Sequence, residues 1–212
     1  METSARTRAS WLAMVGLGMA IALLVAVGDG GGSGVADAAG TNAAASDIRS
    51  VDFGEVPPPG SACSEGLRFT PPATIPVAAG RSPVLDIARF TRLEVDPDVT
   101  YGDLDGDGAD EAAVHVVCSY GANGAEDTVH VWRLQDGRPQ HVAGVGEPPA
   151  SVTGPLPSAV EGVRVVGGRV EVTWTRYADD DPHCCPSGSA TVAYELDGDR
   201  LARVGSPVDG RA

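Results

Sequence analysis

Residues 101–111 read Tyr-Gly-Asp-Leu-Asp-Gly-Asp-Gly-Ala-Asp-Glu. Carboxylates stand at the alternate positions Asp103, Asp105 and Asp107, and Glu111 follows four residues later. Calcium takes six to eight hard oxygens, and a loop with acids at positions one, three and five can curl them around a single ion. Gly106 and Gly108 permit the sharp bends that such a curl needs. The main-chain carbonyl of Ala109, at position seven, would add an oxygen, and Glu111, at position nine, a last carboxylate. Like charges packed without a cation repel, so the ion-free alternative is a splayed, solvated acidic turn.

The first six positions fit an EF-hand, but position twelve, where that motif needs Glu, is Val114. Pro97 lies upstream and a β-alternating run follows at once, so flanking helices are not expected. The stretch resembles instead the FG-GAP or VCBS repeat, the calcium loop of integrin-type β-propeller blades. Gly102 to Glu111, followed by small and β-branched residues, carry the likeness. The resemblance implies Ca2+ held by Asp103, Asp105, Asp107, the Ala109 carbonyl and Glu111. A whole propeller is not expected, because the loop occurs once. Asp179-Asp180-Asp181 and Asp197-Gly198-Asp199 lack its spacing.

A second chemical cluster spans residues 179–185, with three aspartates, His183 and the adjacent Cys184 and Cys185. His183 beside a carboxylate or a thiol suggests acid–base or nucleophilic work. A Cys-Cys-His run also invites soft-metal binding, although no C-x-x-C pair is present. A disulfide-stapled surface loop is the preferred reading. The even count of Cys63, Cys118, Cys184 and Cys185 fits two bridges. A bridge between adjacent cysteines is the least expected arrangement, so Cys63 and Cys118 are each expected to join the 184–185 pair. His115 and His130 sit on neighbouring strand candidates and could face each other across a hairpin as a metal pair, but satisfied or solvent-facing strand histidines are the preferred reading. His141 completes the histidines. No nucleophile elbow, His-Glu-x-x-His helix or glycine-rich nucleotide loop occurs.

The elements that must position these groups are strands. Residues 112–119, 129–134, 170–175 and 190–196 alternate apolar and polar residues with period two. Asp136-Gly137, Gly167-Gly168 and Asp197-Gly198 are the tight turns between strands. Residues 85–93 fit either a short helix or a strand. The expected fold is mainly β, an antiparallel domain built from hairpins with at most one short helix. An apolar amino-terminal helix and a disordered linker precede it.

Composition sets the setting. Fifteen basic residues, all Arg, face 29 acidic ones, for a net charge of −14. That leaves no basic face to displace counterions, so nucleic acid is excluded as a partner. The absence of Lys excludes a lysine nucleophile. Arg6 and Arg8 precede an uncharged apolar run over residues 11–27. Residues 1–27 therefore read as a signal peptide or as a membrane anchor. No cysteine ends the run, so a lipid-anchor box is absent. Residues 28–47 read as a flexible Gly/Ala/Ser linker, 48–207 as the exported β domain and 208–212 as a tail. The Arg-only, Ala/Gly/Val-rich composition and the Cys-Cys-Pro-Ser stretch resemble small exported proteins of GC-rich Gram-positive bacteria. The expected function is a calcium-stabilised, non-enzymatic binding or structural module, secreted or surface-anchored, with a ligand at the cell envelope. The alternatives are a hydrolase or redox enzyme using residues 179–185, and a sensory ectodomain.

Overall fold

The computed structural model describes residues 46–64, 70–121, 124–150, 152, 154 and 158–211. The apolar segment 11–27 and most of the linker lie outside these residues. Among the described residues no helix is long and apolar enough to cross a membrane.

Two antiparallel sheets form the domain. The first contains β1 (Arg92–Val95), β2 (Thr100–Gly102), β3 (Glu111–Tyr120), β4 (Gly124–Gln135) and β5 (Arg138–Val145). Its order is β1-β3-β4-β5, and β2 shares with β1 the same edge of β3, opposite Glu111 to Ala113. The second is a meander of β6 (Val160–Val166), β7 (Arg169–Arg176), β8 (Gly188–Asp197) and β9 (Arg200–Arg211). The strand β9 thus runs through the residues expected to be a tail.

The turn residues explain the hairpins. Asp136 and Gly137 both adopt positive φ (52° and 70°), as do Gly167 and Gly168 (58° and 75°). That is the backbone of a two-residue turn whose twist matches the strands it joins. Strand pairing sets small residues against large ones: Ala112 lies opposite Trp132, and Ala190 opposite Trp174.

The strand β3 is buried on both faces. Ala112, Val114, Val116 and Cys118 join Leu93, Ile48, Phe53, Ala62, Cys63 and Ile75 in one core. That core lies under an irregular amino-terminal segment with short 3-10 turns at Ile48–Ser50, Phe53–Glu55 and Gly60–Cys63. On the other face, Ala113, Val129 and Val131 pack with Val170, Val172, Trp174, Ala190 and Val192 between the sheets. Burying each of the valines stabilises by roughly 1.5–3 kcal/mol.

No α-helix occurs among the described residues. At residues 85–91 the chain makes a turn instead. The Asp86 carboxylate accepts from the Ala88 N–H at 2.8 Å, and the Asp86 carbonyl accepts from the Thr91 N–H at 3.0 Å. Asp at the start of a turn offers its own acceptor to the backbone, which competes with helical bonding.

Candidate metal centre

The acidic loop joins β2 to β3 at one end of the first sheet. It is anchored by Leu104, which is buried in the core between the sheets. Gly102 lies close to the second sheet, where an added Cβ would sit 2.5 Å from Val165 Cγ1. The Val165 N–H donates to Thr100 Oγ1 at 3.2 Å. The loop is therefore held by both sheets.

Side chains and backbone fold the loop together. Asp103 Oδ1 accepts from the Gly106 N–H at 2.7 Å, and Asp103 Oδ2 from the Gly108 N–H at 3.1 Å. Gly106 and Gly108 take φ of 81° and 89°, where a Cβ would be strained although space is open around both. Asp105 Oδ1 accepts from the Asp107 N–H at 3.2 Å. Glu111 begins β3 and is 1% exposed. Its Oε2 accepts from the Leu104 N–H at 2.8 Å.

Asp103, Asp105 and Glu111 converge, each offering a carboxylate oxygen within 4.8 Å of the others. Hard carboxylate oxygens gathered this closely are the donor type that calcium takes. Asp107 and Ala109, both exposed, are bonded to each other, the Ala109 N–H donating to Asp107 Oδ1 at 2.7 Å. One cation already stands nearby, Arg133 Nη1 at 3.2 Å from Asp105 Oδ2.

The electrostatics of Glu111 are unfavourable without a further cation. Burial pushes its carboxyl above the usual range, against the pull of the Leu104 N–H. The Asp105 and Asp107 charges push the same way as burial, and Arg133 opposes them. A buried carboxylate needs a partner or it neutralises.

His115 and His130 are strand histidines with hydrogen-bond partners, as preferred, and the alternative of a facing pair does not occur. His115 stands opposite Val129, and His130 opposite Val114. Adjacent register positions point to opposite faces, so these two rings do not meet. His115 is held between two acids, its Nε2 2.6 Å from Asp127 Oδ1 and its Nδ1 3.3 Å from Asp96 Oδ2. Burial lowers its pKa, but the hydrogen bonds and charges of Asp127 and Asp96 outweigh that and leave it raised. His130 pairs with His141 of β5, Nδ1 to Nε2 at 3.0 Å. Burial, and secondarily the charge of His141, lower His130 to about 3. Sequence spacing gave no signal for this pair.

The cysteines also correct the expectation. Cys63 bonds Cys118, and Cys184 bonds Cys185. The cross-linking of Cys63 and Cys118 to the 184–185 pair does not occur. Cys63 and Cys118 belong to the first core, whereas residues 184 and 185 lie in an exposed loop between β7 and β8.

Residues 149–199 match the family model of the LppP/LprE lipoproteins. The match covers about a quarter of the chain: β6, β7, β8 and the Cys-Cys loop. The matched residues do not include the acidic loop, and the match lends no support to the FG-GAP resemblance. No curated protein and no solved structure matches the chain. Such a match is in keeping with an envelope protein.

Within the matched segment, Asp181 and the two cysteines, among the groups considered for catalysis, are engaged in holding the loop. Asp181 Oδ2 accepts from the Ala178 N–H at 2.7 Å, the Ser187 N–H at 2.8 Å and Ser187 Oγ at 3.0 Å. These bonds hold its pKa low, the Ala178 N–H first. Tyr177 donates its hydroxyl to the His183 carbonyl at 3.1 Å. Neither Cys184 nor Cys185 is a thiol, so a thiolate nucleophile is absent in this state.

Proposed function

We propose that this chain is an exported, non-enzymatic module of the cell envelope whose acidic loop holds one structural calcium ion. The observation that carries the reading is the convergence of Asp103, Asp105 and the buried Glu111. Calcium would let Glu111 ionise without repelling its neighbours. Through the Leu104 N–H it would also fasten a residue of the inter-sheet core. The lipoprotein-family match over residues 149–199 supports the envelope location. Residues 11–27 would supply export or anchoring.

Binding to the folded state alone stabilises by RT ln(1 + [Ca]/Kd), about 2.7 kcal/mol at a hundredfold excess. Extracellular calcium modules bind at about 10⁻⁴–10⁻³ M. Millimolar calcium should therefore raise the Tm and magnesium should raise it less. Asp105→Ala should fold but lose the response. A wild-type melting curve unmoved by calcium would reduce the loop to an acidic turn.

A further inference from the structure

We propose that His130 and His141 form a second metal site, which takes a divalent late-transition-metal ion of the zinc or copper class. The site is on the first sheet, on the face opposite the inter-sheet core, and shares no residue with the acidic loop.

A β-bulge creates the pair. Along β4 and β5 the register runs Val131↔Ala143 and then Trp132↔His141, which passes over Val142. In an unbroken ladder Trp132 would stand opposite Val142, and His141 would point to the inter-sheet side. The extra residue re-aims His141 onto the face of His130 and Trp132, as bulges beside functional sites do. Val142 packs instead against the inter-sheet core.

The nitrogens are spaced for shared coordination. His130 Nδ1 and His141 Nε2 stand 3.0 Å apart. Two imidazoles on a tetrahedral ion with metal–nitrogen bonds of about 2.0–2.1 Å stand about 3.3 Å apart, so a few tenths of an ångström of opening suffices. His141 is exposed whereas His130 is 3% exposed, so the opening falls on His141. The other His130 nitrogen, Nε2, lies 3.1 Å from Thr128 Oγ1, and the His141 ring bonds the backbone of Ala143. Supporting bonds of this kind fix the tautomer of metal-ligating histidines.

Access is kept open by Gly144, the residue directly opposite His130. A Cβ there would sit 2.5 Å from His130 Nδ1. A cleft of about 480 Å³ adjoins both rings and is lined also by Ser64, Glu126, Thr128 and Glu147. Its carboxylates favour a cation, and its volume admits the waters that complete a two-histidine site. Binding displaces the proton shared between His130 Nδ1 and His141 Nε2, which leaves to solvent.

Zinc titration of the full chain, followed by calorimetry in millimolar calcium to saturate the acidic loop, tests the proposal. One equivalent should bind, and copper should compete for it. Copper should also quench Trp132, whose ring centroid is 5.7 Å from that of His130 and 5.2 Å from that of His141. His141→Gln offers both an amide donor and an amide acceptor to His130 Nδ1 in either tautomer and so keeps the fold. It should weaken zinc at least about tenfold, the low end of what loss of even a supporting group costs a metal site. His183→Ala and Asp105→Ala should bind as the wild type does. No zinc uptake by the wild type, or uptake that His141→Gln leaves intact, would show a hydrogen-bonded pair and nothing more.

Discussion

Replacing Glu111 by Gln separates the two roles of the acidic loop. The amide can still accept from the Leu104 N–H, which the carboxylate bonds at 2.8 Å. What disappears is a charge on a residue 1% exposed, within 4.8 Å of two other carboxylates. Two unit charges at that distance repel by about 1 kcal/mol in water and about 3 kcal/mol at an effective dielectric of 20. Asp105 retains 23% of its side-chain exposure and is paired with Arg133, so the lower half of that range applies. In calcium-free buffer at neutral pH, Glu111→Gln should therefore gain about 1–2 kcal/mol, or about 2–8 °C in Tm. In millimolar calcium the order should reverse, because the variant lacks a ligand and gains nothing. The pH dependence carries the same sign. A carboxyl with a raised folded pKa stabilises fully below its unfolded value of 4.5 and loses that contribution as pH rises through the folded value. Calcium-free wild type should lose stability over that window, and Glu111→Gln should lose less. Thermal melts of both proteins, with chelator and with calcium, across pH 4–8, make the measurement. A variant less stable than wild type without calcium, or equally stabilised by calcium, would refute the reasoning.

The disulfides and His115 supply the remaining tests. Cys63–Cys118 closes a sequence separation of 55 residues, for which loop entropy gives about 4 kcal/mol. Cys118→Ser should thus lower the Tm by about 8–16 °C, whereas the double change of Cys184 and Cys185 to Ser, which opens no loop of chain, should move it little. His115, with its raised pKa, stabilises fully below its unfolded value of 6.5 and loses that contribution as pH climbs through the folded value. His115→Gln should flatten the stability profile above pH 6.5; a profile as steep as the wild type's would assign the slope elsewhere.

The period-two runs at residues 112–119, 129–134, 170–175 and 190–196 were enough to determine a mainly β fold, because alternation reports a strand with two unlike faces. They became β3, β4, β7 and β8. The strands β5, β6 and β9 were harder to read, because Pro139, Gly144, Gly162, Gly205 and Pro207 interrupt their patterns. The acidic loop was legible because its donors are close in sequence, and local turn chemistry gathers Asp103 and Asp105 without help from the fold. Only the fold buries Glu111, since that requires β3 to be covered on both faces. Disulfide partners were decided by burial: Cys63 and Cys118 share a core, which no count of cysteines reveals. The His130–His141 pair depends on one extra residue in β5. A bulge reverses the facing of the residues beyond it without leaving a mark in the alternation, so the pairing exists only in the folded sheet.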